Sequence, residues 1–163
     1  MSHSTRVIAE AGKQELFIIR EFDAPRELVY RAFSDPEILV QFFAPHDTVM
    51  TFDYADYQTD GRYRYTHTRP EGVVLCTFKG VIHEMAAPER IVQTAELEGL
   101  PEAGQAILEV MTFEALPGNR CKLTIHDICR SVATRDAMIK SGMESGLVII
   151  FNQLDLFLQK QLV

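Results

Sequence analysis

Two sets of residues at a spacing of two carry most of the chemistry this sequence can offer. In the stretch RYRYTHT, Tyr63, Tyr65 and His67 fall on alternate positions, so on a strand they share one face and present two phenols and an imidazole to a common space. Ile107, Glu109, Met111 and Phe113 repeat the spacing further on and set one carboxylate among apolar side chains. A carboxylate there can orient a hydroxyl or amine of a ligand, because a buried carboxylate is rarely left unpaired. The plainer alternative is a Glu109 that pairs with Tyr65 or His67 inside a filled core, or that faces water.

Other chemistries lack their residues. The five histidines (His3, His46, His67, His83, His126) form no H-x-x-x-H pair and none lies beside cysteine at zinc spacing, so no metal site is expected. His126 and Asp127 are adjacent, and neighbours on a strand point to opposite faces, so they make no oriented base. No G-x-S-x-G turn places a nucleophile, and Gly99 to Gly104 lacks the glycines and lysine of a phosphate loop. No cofactor is expected. The three cysteines, Cys76, Cys121 and Cys129, are an odd number without a C-x-x-C pair, which predicts buried thiols in a reducing compartment rather than disulfides.

Charge and length narrow the partners. With 16 basic and 23 acidic residues the net charge is -7, and the basic residues are scattered, which argues against a nucleic-acid partner. The longest apolar run, Leu147 to Phe151, is far short of the roughly 20 residues that span a bilayer. Met1 to Arg6 lacks the apolar core of a signal peptide. A cytoplasmic protein without membrane insertion is expected. A chain of 163 residues suits one domain, read as 14–163 behind a flexible lead-in at 1–13 in which Val7 and Ile8 can pair at an edge.

These residues need elements to hold them. Gln14 to Asp23 has strand composition. Pro25 suits the first position of a short helix with Leu28, Val29, Ala32 and Phe33 on one face. Asp35-Pro36 ends it and opens a second helix with Leu39, Phe42 and Phe43. Period two then predicts strands at Thr48–Tyr54, Arg62–Thr68, Val73–Met85, Arg90–Glu98, Gln105–Leu116 and Arg120–Cys129, separated by short turns such as Asp60-Gly61 and Pro117-Gly118-Asn119. Short turns require antiparallel pairing. From Arg135 to Gln161 the period lengthens, with Ile139, Met143, Leu147, Ile150, Leu154 and Phe157 on one stripe. Thr134 is the expected cap and Asp136 the first-turn acid. The expected fold class is α+β, a curved antiparallel sheet wrapped around one long C-terminal helix.

Inside that helix, Gly142 and Gly146 each cost about 0.5–1 kcal/mol relative to alanine, which close packing or room for a ligand must offset. Gly146 lies roughly 60° from the centre of the stripe and so looks toward the sheet. Met143 and Met138, with Met111 and Met85, can line an adaptable pocket or pack an ordinary core.

The order of elements and several words in it resemble the START-like (SRPBCC) helix-grip superfamily, in particular the branch similar to the activator of heat-shock protein 90 ATPase. The words are R-x-F-x-A-P-R-E-x-V at Arg20 to Val29, Asp35-Pro36-Glu37, the aromatic pair Phe42-Phe43 before Pro45, Gly61 to Arg64, A-P-E-R-I-V at Ala87 to Val92 and S-G-M-E-S-G at Ser141 to Gly146. The chain departs from the pattern where the family has tryptophan near Phe42-Phe43 and at Leu147, and where a Gly-Gly becomes Asp60-Gly61. The resemblance implies a cavity between sheet and helix for a small hydrophobic or amphipathic molecule, with Tyr63, Tyr65 and His67 on its concave side. Phe43, Tyr63, Tyr65, His67, Glu109, Met111, Phe113, Met143 and Gly146 are the residues expected to bind it, in a non-enzymatic domain. It also implies two rival readings: an activator-like contact with the heat-shock protein 90 chaperone and a place in the stress response, or a cyclase- or hydrolase-type enzyme using Glu109 or His67 as general base. The full activator carries a separate N-terminal domain for which this length leaves no space, so no chaperone stimulation is expected.

Overall fold

Strict alternation in ELFIIREF places Leu16, Ile18, Arg20 and Phe22 on the covered face of β2 (Glu15–Phe22), and the same rule in RCKLTIHDI covers Cys121, Leu123, Ile125 and Asp127 on β8 (Arg120–Ile128). The two strands pair antiparallel with Leu16 opposite Asp127, so the first long strand and the last lie side by side. The computed structural model, which describes residues 3–163, completes the sheet with β1 (Arg6–Ile8), β3 (Val49–Ala55), β4 (Arg62–Thr68), β5 (Val74–Ala86), β6 (Arg90–Leu97) and β7 (Ile107–Leu116). All eight strands form one open antiparallel sheet in the order β1-β2-β8-β7-β6-β5-β4-β3. Val7, in the N-terminal segment, pairs with Ile18 at the edge.

Helices cover one face. α1 (Arg26–Ser34) and α2 (Pro36–Phe42) follow β2. Pro25 caps α1 from just outside it rather than opening it, whereas Pro36 does open α2, and Asp35 accepts a hydrogen bond there from the Glu37 amide at 2.9 Å. Phe33 and Phe42 meet edge-on at 5.6 Å, and Phe33 reaches Phe113 at 5.8 Å. The long C-terminal helix buries Ile150, Phe151, Leu154 and Leu158 against the sheet, with Phe22 and Phe151 in an edge contact at 5.9 Å. This is the helix-grip arrangement. No helix of the described residues is long and apolar enough to cross a membrane.

The C-terminal segment departs from the expected single helix. It divides into α3 (Val132–Lys140) and α4 (Met143–Gln161), and between them Gly142 takes φ 88°, in the left-handed region. Ser131, not Thr134, caps α3, accepting a hydrogen bond from the Thr134 amide at 3.0 Å. Asp136 lies past the first turn and pairs with Arg135 at 2.8 Å. Ile139 is 36% exposed because the stripe it would extend stops at the break.

Candidate functional site

Register across the sheet builds the floor of the site. Opposed residues of antiparallel strands point to the same face, and the pairings Leu16–Asp127, Asp127–Glu109, Glu109–Gln93 and Gln93–Ile82 make one continuous row across β2, β8, β7, β6 and β5. Three polar side chains therefore sit shoulder to shoulder between two aliphatic ones. Gln93 donates its amide to Glu109 Oε1 at 3.1 Å. Asp127 is 4% exposed and its Oδ1 has no hydrogen-bond partner.

Above this row lies a cavity of about 540 Å³ between the sheet and α3–α4. Its depth is apolar, with Ile18, Met111, Ile125 and Ile150, and its rim includes Leu100, Ser141 and Gly142, which are exposed. One wall is aromatic: Tyr63 and Tyr65 stack at 6.0 Å, Tyr65 and Phe78 at 5.6 Å, and Phe43 meets Tyr65 edge-on at 6.3 Å. The Tyr63 hydroxyl donates to Thr94 O at 2.6 Å, which fixes the first ring. Phe43 is held from outside, because Gln153 on α4 donates to the carbonyls of Phe42 at 2.8 Å and Ala44 at 2.7 Å.

Of the residues expected from sequence, Phe43, Tyr63, Tyr65, His67, Glu109, Met111, Met143 and Gly146 all line the cavity. Phe113 does not. It is 1% exposed and packs on Tyr30 at 5.2 Å and Phe33 at 5.8 Å, since two residues beyond Met111 the sheet is already covered by α1. Glu109 accepts a hydrogen bond from Gln93 and lies opposite Asp127 in the register, and it does not pair with Tyr65 or His67. Gly146 has open space where a side chain would begin, with nothing within 4 Å of a built Cβ.

Gln93 and Tyr57 also line the cavity without a sequence signal of their own, and so does Asp127, which the sequence offered only as the neighbour of His126. The alternation Leu123, Ile125, Asp127 carried the signal for Asp127. His126, its neighbour, points to the other face, stacks on Phe17 at 4.3 Å and meets Glu15 at 2.7 Å. Gln93 had no such signal, because only register brings it beside Glu109.

Burial sets the protonation states. It holds the Asp127 carboxyl well above the usual carboxylate range, helped by the adjacent Glu109 charge. Burial likewise lowers His67, whose Nε2 has no partner, and raises Tyr57, Tyr63 and Tyr65. Burial thus favours the neutral forms of the histidine and the tyrosines and the protonated form of Asp127. No lysine or arginine lines the cavity among the described residues. Cys76, opposite His67 in the register, has its thiol pushed up by burial, which disfavours the reactive thiolate. No group of three or more metal-ligating side chains occurs among the described residues.

The family described as "Activator of Hsp90 ATPase homolog 1-like protein" matches residues 23–159. A crystal structure of a protein from Rhodobacter sphaeroides superposes with a TM-score of 0.83 at 20% identity, covering 95% of this chain and 99% of that one. A solution structure of an Arthrobacter aurescens protein gives 0.83 at 23% identity over 95% and 91%, and a Mycobacterium smegmatis protein 0.83 at 21% over 96% of each chain. No curated protein matches the chain.

Proposed function

The chain belongs to the Activator of Hsp90 ATPase homolog 1-like family, and from that premise and the cavity we propose that it is a non-enzymatic binding domain that encloses a small hydrophobic or amphipathic molecule between the sheet and α3–α4. One observation carries the reading: a cavity of about 540 Å³ is kept open in the place where Gly146 withholds a side chain. A volume of that order suits a small ligand, and mostly apolar walls with a few convergent polar groups are the usual makeup of such sites. A chaperone contact would concern the outer surface, and nothing in the cavity bears on it.

Titration with the neutral fluorophore N-phenyl-1-naphthylamine, alongside native mass spectrometry of protein from its own host, tests the proposal. Saturable fluorescence enhancement and a co-purifying small molecule are expected. A protein that binds neither the fluorophore nor any host molecule would overturn it.

A further inference from the structure

Building on the cavity reading above, we infer that the occupant is an amphiphilic amine, an apolar molecule with a single positive charge, whose ammonium group sits on the Glu109–Asp127 pair. Two carboxyl groups lie side by side in the row that floors the cavity, and Gln93 supplies one amide hydrogen bond to Glu109 and none to Asp127. Asp127 Oδ1 is buried without a partner, an arrangement that costs free energy unless something in the cavity satisfies it.

Charge narrows what that something is. Glu109 and Asp127 both line the cavity, and no lysine or arginine lines it among the described residues. Arg135, the buried cation nearest in sequence, is spent elsewhere: it donates to the carbonyls of Glu10 at 2.7 Å and Glu15 at 3.1 Å and pairs with Asp136. A buried charge is stable only when paired, and a cationic ligand supplies the partner that the cavity lining lacks. An alcohol would satisfy the hydrogen bond and leave the charge, while a carboxylate would add a second one.

His67 gives an independent sign of a ligand. It is 7% exposed, lines the cavity on β4, and its Nε2 has no partner. An amine whose apolar body carries a hydrogen-bond donor away from the ammonium would satisfy both poles.

The experiment is displacement of N-phenyl-1-naphthylamine by decylamine, 1-decanol and decanoate at pH 7.5, below their aggregation concentrations, in the wild type and in Glu109→Gln and Asp127→Asn. Decylamine is expected to bind at least tenfold more tightly than decanol, with decanoate weakest, and the amine-to-alcohol ratio should fall to within threefold in each variant. If the fluorophore binds but decanol or decanoate equals decylamine, or if the preference survives both substitutions, the inference is wrong while the cavity reading stands. If the wild type binds neither fluorophore nor amine, the cavity reading fails first and takes this one with it. Should Asp127→Asn fail to fold, Glu109→Gln decides, since Glu109 is only partly buried.

Discussion

Gly80 faces Tyr63 across the β4–β5 ladder, and a Cβ built on it would overlap the Thr94 carbonyl oxygen and come within 2.5 Å of the Tyr63 hydroxyl. Those two atoms form the 2.6 Å hydrogen bond that fixes the aromatic wall. Gly80→Ala must therefore either break that bond or part β5 from β6. Overpacking of this kind costs about 1–3 kcal/mol, and urea unfolding should show a loss in that range; an alanine variant as stable as the wild type would show that the strands yield there freely. The opposite outcome is expected for Gly146→Leu, where open space receives the side chain. Fluorophore binding should fall at least tenfold while the melting temperature holds or rises slightly, because leucine is the better helix former. A leucine variant that binds as the wild type does would mean that the fluorophore sits elsewhere. Sequence allowed Gly146 to be read as facing the sheet, since helical angle alone gives its direction. It also held a hint of Gly80, because a glycine inside a strand marks a close backbone approach, but not which groups approach.

Strand boundaries were legible to within a residue or two because each lies between turn residues: Arg62–Thr68 is both the expected and the observed span of β4. The helix break was not, although a left-handed glycine after Lys140-Ser141 is a common C-terminal signal. The apolar three-and-four spacing runs across the break, so period alone cannot reveal it. Elements thus assign different work to two glycines that the sequence presents as equivalents. Gly142 caps α4 at φ 88°, a conformation that costs a non-glycine residue about 1–2 kcal/mol. Gly146 lies in the helix without positive φ, where alanine gains about 0.5–1 kcal/mol. Gly142→Ala should accordingly lower stability and Gly146→Ala raise it by chemical denaturation. A Gly142→Ala that raised stability would mean that α3 and α4 fuse into one continuous helix in solution. The site's polar floor was half legible for a related reason: alternation gives the face of Glu109 and Asp127, whereas their adjacency, and that of Gln93, depends on a register that no single strand contains.

For the molecule as a whole, enclosing a polar floor and an imidazole within one apolar cavity ties folding to pH in two opposed ways. Asp127 has a folded pKa raised by burial and by Glu109, so between the unfolded value near 4 and the folded one the native state holds the extra proton, and stability falls as pH rises. His67 has a folded pKa lowered by burial. The unfolded chain therefore takes up its proton first, and stability falls as pH drops below about 6.5 toward the folded value. Asp155, raised by burial despite its pairing with Arg20, adds to the first trend, so the wild-type curve alone is a mixture. Single variants separate the contributions, because Asp127→Asn removes the carboxyl beside Glu109 and His67→Gln removes the imidazole, while Asp155 is common to both. Relative to wild type, Asp127→Asn should become progressively more stable as pH rises from about 4, and His67→Gln progressively more stable as pH falls below about 6.5. Each slope is limited to about 1.4 kcal/mol per pH unit, the linkage of one proton. Urea unfolding between pH 4.5 and 7.5 measures both, and variant curves parallel to the wild type would mean that neither group changes its proton affinity on folding.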